Sequence, residues 1–225
     1  SNYSINSLTA EITGRPVTIS GSRLYDSTTT ASSSILTITS GVSGESLSLT
    51  GSGVLGAASA GTQTITNNNT LAIADGSGGL ASNYTLSGAT INVTIIPRTL
   101  NVSLSREYDG TTAVSGASLT PTFDSLQGGE TLALSGTGSV STANVGSSKA
   151  VNLGSIALAA GSGNPSNYTL NSATMNITQR VINLDGIRAY DATTNVISSD
   201  INTFGNIVSG ETLTITGTGS VGNNS

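Results

Sequence analysis

A chain of 225 residues with 8% charged side chains, a net charge of -5 and no basic cluster lacks the electrostatic footprint of a nucleic-acid or anionic-membrane binder, so neither partner is expected. With no cysteine and no histidine it has no disulfides, no thiol chemistry and not the commonest general base or metal ligand. No apolar run of about 18 residues and no charged-then-apolar leader occurs, so neither membrane insertion nor a signal peptide is expected in this stretch.

Residues 1–14, SNYSINSLTAEITG, match the stretches that begin SNYTLSGAT at Ser82 and SNYTLNSAT at Ser166. Leu8, Ala10 and Ile12 alternate with polar residues as Ala89, Ile91 and Val93 do, the period of a half-buried strand. Residues 1–14 therefore read as the closing strand of a preceding repeat, and a start in mid-repeat predicts a piece of a longer protein.

Arg15 opens a first full repeat, 15–97; Arg98 opens a second, 98–179; Arg180 opens a partial third, 180–225. Each begins with an alternating strand, Val17 and Ile19, then Leu100, Val102 and Leu104, then Ile182 and Leu184. Each strand delivers the chain to the same motif, Arg-x-Tyr-Asp-x-Thr-Thr, at Arg23-Tyr25-Asp26, Arg106-Tyr108-Asp109 and Arg188-Tyr190-Asp191. The three tyrosines lie 83 and 82 residues apart, which defines the repeat. Only a dipeptide, Pro97-Arg98 or Gln179-Arg180, joins one closing strand to the next opening strand, so a stiff rod is expected.

After the motif, Ile35 to Ile38 predict a short strand, and Ile38, Phe123 and Phe204 share one repeat position and, by expectation, one core pocket. A second phrase follows at Gly44-Glu45, Gly129-Glu130 and Gly210-Glu211, whose alternating Leu47 and Leu49, Leu132 and Leu134, Leu213 and Ile215 predict a strand. It ends at a Gly-x-Gly pair suited to a bulge or tight exit. Two further strands fall near Ile65 and Leu71 to Ile73, with Val151 to Leu153 and Ile156 to Leu158 as their counterparts. About six short strands without a helical period predict an all-β fold of tandem small antiparallel sandwich-like domains. β-grasp-like units and a parallel β-solenoid are the alternatives.

Twelve of the charged residues recur at equivalent positions: Arg15, Arg98 and Arg180; Arg23, Arg106 and Arg188; Asp26, Asp109 and Asp191; Glu45, Glu130 and Glu211. Asp26 and Glu45 could be read as the carboxylate pair of a glycosidase. A catalytic pair copied into every repeat without an aromatic sugar platform is the poorer reading, so both carboxylates are expected to partner the arginines and no catalytic residue is assigned. Tyr25, Tyr108 and Tyr190, with Tyr3, Tyr84 and Tyr168, are expected to be core aromatics. The scattered Asp and Glu form no calcium-loop pattern, so neither metal nor cofactor is expected. Lys149, the single lysine, aligns with Thr64, so a Lys-Asn crosslink cannot be general to the repeats.

The motif, the Gly-Glu-x-Leu phrase and the Ser-Asn-Tyr closing strand, in that order over nearly the whole chain, resemble the YDG-type repeat of bacterial filamentous-haemagglutinin-like adhesins exported by two-partner secretion. The resemblance implies a non-enzymatic, extracellular or cell-surface role as the stalk that projects an adhesive tip. A module that binds a host or matrix glycan, or that self-associates within a fibre or biofilm matrix, is the alternative. Only Tyr108-Asp109-Gly110 keeps the family triplet; Ser27 and Ala192 replace its glycine, which argues against a required positive φ there. The bodiless closing strand 1–14 and the unclosed body 180–225 also raise self-association by strand addition.

Overall fold

The computed structural model describes residue 7 and residues 9–222. The chain falls into two compact units. The first comprises the chain up to Leu100 with Ser125–Leu132 and Ala160–Leu170, and the second comprises Asn101–Asp124, Ala133–Ala159 and the chain from Asn171 onward. The division does not follow the repeats, because three segments of the second repeat, 98–100, 125–132 and 160–170, group with the first.

The first repeat forms β1 (Arg15–Leu24), β2 (Thr30–Ser32), β3 (Leu36–Thr39), β4 (Leu47–Thr50), β5 (Ser52–Leu55), β6 (Gly61–Asn67), β7 (Ala72–Asp75) and β8 (Tyr84–Ile96). Six of these make one sheet in the order β2-β5-β6-β8-β1-β3, and β4 pairs with β7 in a second small sheet. Leu47 and Leu49 from β4 and Ile73 from β7 pack on Val17, Ile19, Tyr84 and Ile91 of the large sheet. The alternation read from the sequence is thus what buries one face of each layer against the other.

The second repeat copies the plan with β9 (Arg98–Glu107), β10 (Ala113–Ser115), β11 (Thr122–Phe123), β12 (Leu132–Ser135), β13 (Thr137–Val140), β14 (Gly146–Asn152), β15 (Ala157–Ala160) and β16 (Tyr168–Thr178). Its large sheet runs β10-β13-β14-β16-β9-β11 and its small one is β12-β15. Val102, Leu104, Val114, Leu134, Met175 and Ile177 are buried within it. The fold is all-β, built of sandwich-like repeats, with only three-residue 3-10 turns such as Ser33–Ile35 between strands. A parallel solenoid is not what forms, since most pairs are antiparallel.

In the first repeat the pairing of β8 with β1 departs from the expected antiparallel plan: the two run parallel, from Arg15 opposite Tyr84 to Leu24 opposite Ile96. Parallel neighbours need a long crossover, and the six intervening strands supply it. The consequence is positional. The ends of β1 and β8 lie side by side, so the Tyr25 amide donates to the Ile96 carbonyl at 2.9 Å and the motif stands at the exit into the next repeat. Tyr108 repeats this with Thr178 at 3.0 Å.

Ile38 lies opposite Ile19, Phe123 opposite Val102 and Phe204 opposite Leu184, so the three do occupy one site in the sheet, each half-buried. Gly51 and Gly136 have φ of 76° and 75°, and a Cβ on either would stand 2.0 Å from a carbonyl oxygen, of Thr70 or Ser155. Glycine is required there for the tight exit from β4 and β12.

In the third repeat β17 (Asn183–Gly186), β18 (Asn195–Ile197), β19 (Ile201–Gly205) and β20 (Thr218–Ser220) form two pairs, β17-β19 and β18-β20. The strand expected over Leu213 and Ile215 is not formed. Its counterparts β4 and β12 pair with β7 and β15, and no such partner stands among the described residues of this repeat. Of the expected closing strand 1–14, residues 1–6 and 8 lie outside the described residues, while 9–14 take no regular structure and Ile12 is 98% exposed. β8 is held by β6 and β1 of its own repeat, and no equivalents of these precede residue 9 among the described residues.

Candidate functional site

The Arg-x-Tyr-Asp-x-Thr-Thr motif folds as a clamp in each copy. The Asp109 carboxylate accepts from the Thr111 amide at 2.9 Å and the Thr111 hydroxyl at 3.0 Å, an Asx-turn, and Arg106 closes it from the other side with an ion pair at 2.9 Å. Arg106 also donates to the carbonyls of Thr111 and Ala113. Asp26 and Asp191 receive the same bonds from Thr28 and Thr193, and pair with Arg23 and Arg188. The arginine of each pair is the buried partner and the aspartate the wet one: side-chain exposures are 12% for Arg106 and 42% for Asp109.

Burial alone would raise the carboxyls of Asp26 and Asp109, but the Thr amide and hydroxyl and the arginine outweigh it and hold both below the usual range. Arg188 and Thr193 bring Asp191 down to about 2. Because Asp109 is so exposed, Asp109→Ala is expected to cost about 1 to 2 kcal/mol rather than the larger loss of a buried pair. A urea melt of the chain measures this. A lowered carboxyl pKa adds stability above the unfolded value near 4, lost on acidification through the folded value, so the variant should also lose less stability in acid.

The residue after Asp has positive φ in all three copies, 62° at Ser27, 76° at Gly110 and 62° at Ala192. The expectation drawn from Ser27 and Ala192 is overturned. The Asx-turn and the arginine clamp hold the left-handed conformation even where the side chain opposes it. Gly110→Ala is expected to destabilise by about 1 to 2 kcal/mol, and its new Cβ would meet Val208 at 2.8 Å. Ser27→Gly should stabilise by up to about 1 kcal/mol. Chemical denaturation of the two variants beside the parent gives both signs.

The tyrosine of the motif serves the following repeat. Tyr25, only 3% exposed, donates its hydroxyl to Glu130 Oε1 at 2.5 Å, and Tyr168 donates to Oε2 of the same carboxylate at 2.6 Å. The two rings meet edge to face with centroids 5.3 Å apart. Arg98 Nε donates to the Tyr25 carbonyl at 3.0 Å, and the buried Asn167 side chain accepts from the Ala60 amide at 2.9 Å. All of these groups lie in the first compact unit. This joint is why parts of the second repeat cluster with the first.

Inside the second unit the same parts recur: Tyr108 donates to Glu211 Oε1, and Arg180 donates to the Tyr108 carbonyl at 3.3 Å. Burial and the bond to Glu130 push the Tyr25 phenol up to about 12. Tyr168 is raised for the same reasons, and Tyr84 and Tyr108 are raised first by their carboxylate partners.

Most of the recurring charges have a partner among the described residues, though not always the expected one. The Asp residues partner arginines, but Glu45, Glu130 and Glu211 accept from tyrosines. Arg98, which opens the second repeat, binds the Tyr25 carbonyl, while Arg180, which opens the third, binds the Tyr108 and Asn206 carbonyls and pairs with the Glu107 carboxylate at 3.5 Å. Tyr190, followed by no described repeat, is 78% exposed and not a core aromatic. Lys149 is engaged by Thr142 and the Asn144 carbonyl.

Among the described residues no cluster of three or more His, Cys, Asp or Glu could hold a metal ion, and no helix is long and apolar enough to cross a membrane. A family match decides the kinship: the YDG domain matches twice, over residues 9–93 and 92–175. The chain belongs to the YDG domain family. No curated protein and no solved structure matches it. Each YDG match runs from the approach to one opening strand to the closing strand of the same repeat, so the joint residues Tyr25 and Glu130 fall in consecutive YDG domains.

Proposed function

We propose that this chain is a stretch of structural repeats from the stalk of a large bacterial surface adhesin of the two-partner secretion type, which works outside the cell by holding an adhesive tip away from it. The observation that carries the reading is the joint. Scarce ionic and aromatic groups are spent on the seam between consecutive YDG domains, at Tyr25, Arg98, Glu130 and Tyr168. A spacer under load needs its seams reinforced in every copy, whereas a binding or catalytic module needs one distinctive site.

Arrays of two, four and six repeats, compared by small-angle X-ray scattering, test the proposal. Maximum dimension should grow in proportion to repeat number; compact growth would sink the stalk reading. Specific capture by a glycan array would replace it with a binding module.

A further inference from the structure

The first repeat is entered through β1 and left through β8, and these two strands are neighbours inside its large sheet. Because they run parallel, the entry of β1 at Arg15 and the exit of β8 at Ile96 lie at opposite ends of one ladder. Tension along the chain therefore pulls the two strands lengthwise in opposite directions, and every bond of the ladder carries load at once. An antiparallel pair would have its entry and exit at the same end, where load parts the bonds one after another.

This ladder is also built to hold. Its register breaks between Pro16 and Thr18, which leaves seven consecutive pairs, from Thr18 opposite Thr90 to Leu24 opposite Ile96. The five other ladders of the repeat hold two to four pairs each. Ile19, Ile91, Val93 and Ile95 are buried along it, and Leu47, Leu49 and Ile73 of the small sheet cover Ile19 and Ile91, so water is kept from replacing a strained bond. At the loaded exit the Tyr25 amide holds the Ile96 carbonyl at 2.9 Å, and Arg98 holds the Tyr25 carbonyl at 3.0 Å. β9 and β16 are likewise neighbours in the second sheet, and their exits meet in the same way through Tyr108 and Thr178. We propose that the β1–β8 ladder has a mechanical function, as a tension lock that resists force along the chain far better than force that opens the ladder from one end. The lock is a property of one repeat and stands whether or not the array is a stalk.

Single-molecule pulling of the full chain tests it. The chain has no cysteine, so introduced cysteines fix where the tethers attach. Thr13→Cys with Ile96→Cys loads the ladder lengthwise. Thr13→Cys with Ser82→Cys loads it from one end, because Arg15 stands opposite Tyr84. All three positions are exposed, so both chains keep the parent core. At one pulling speed the lengthwise rupture force should exceed the other by about twofold or more, since forced unfolding is set by the barrier to the first break, a block of bonds in one direction and a single bond in the other. Equal forces, or a weaker lengthwise force, overturn the proposal. Two buried substitutions locate the lock. Val93→Ala, within the ladder, should lower both the urea midpoint and the lengthwise force, whereas Leu55→Ala, on β5 outside it, should lower the midpoint and leave that force nearly unchanged. Equal loss of lengthwise force in the two variants overturns the choice of ladder.

Discussion

Replacing Tyr25 by alanine is expected to destabilise the first compact unit by about 3 to 5 kcal/mol, the cost of emptying a site filled by a large buried aromatic. The ring is 3% exposed and packs edge to face on Tyr168. Tyr25→Phe separates the parts of that loss. The ring pair, about 0.5 to 1.5 kcal/mol, survives, while the hydroxyl's bond to a carboxylate, about 1.5 to 3 kcal/mol, is lost. The phenolic proton also gives the joint a signature in alkali. A phenol held at about 12 in the fold and near 10 in the unfolded chain adds stability that is whole below pH 10 and disappears as pH rises toward 12. Parent and Tyr25→Phe should therefore differ most in urea midpoint below pH 10 and converge above it. A difference that stays constant to pH 12 would mean that the Glu130 bond is not what holds this proton.

How much of this was legible in the chain depends on how far each interaction reaches. Arg106 and Asp109 sit three residues apart and Asp109 reaches Thr111 within the same turn, so a motif written three times announces its own clamp. Tyr25 and Glu130 are 105 residues apart and belong to different repeats. Periodicity within a repeat carries no mark of that pairing, and charge complementarity pointed the glutamates to arginines instead.

The strands β1, β3, β4 and β6 to β8 and their buried faces followed from apolar alternation. β2 and β5 did not, because Thr30–Ser32 and Ser52–Leu55 offer three or four residues of small side chains and no usable period. The parallel pairing of β1 with β8 was also invisible, since it joins the two ends of a repeat. Yet that pairing sets the motif beside the next repeat's opening arginine and so makes the motif part of a seam.

Glu130→Ala is the other change expected to have a large effect, about 3 to 5 kcal/mol, because it strands two buried phenols at once. Tyr25 and Tyr168 each point a hydroxyl at one oxygen of this carboxylate, and both rings are buried. Removing the acceptor leaves both donors desolvated without a partner, which costs more than deleting either donor. Glu130→Gln keeps one carbonyl oxygen and replaces the other with a donor that only a phenol oxygen can accept, so it should cost less than alanine. The pair term is isolated by a double-mutant cycle of Tyr25→Phe with Glu130→Gln, read by urea denaturation, and a coupling of about 1 to 3 kcal/mol is expected. Glu45 provides the internal control. It takes one tyrosine, Tyr84, where Glu130 takes two, so Glu45→Ala should destabilise clearly less. Equal losses at Glu45 and Glu130 would locate the stabilisation inside each repeat and remove the carboxylate from the seam.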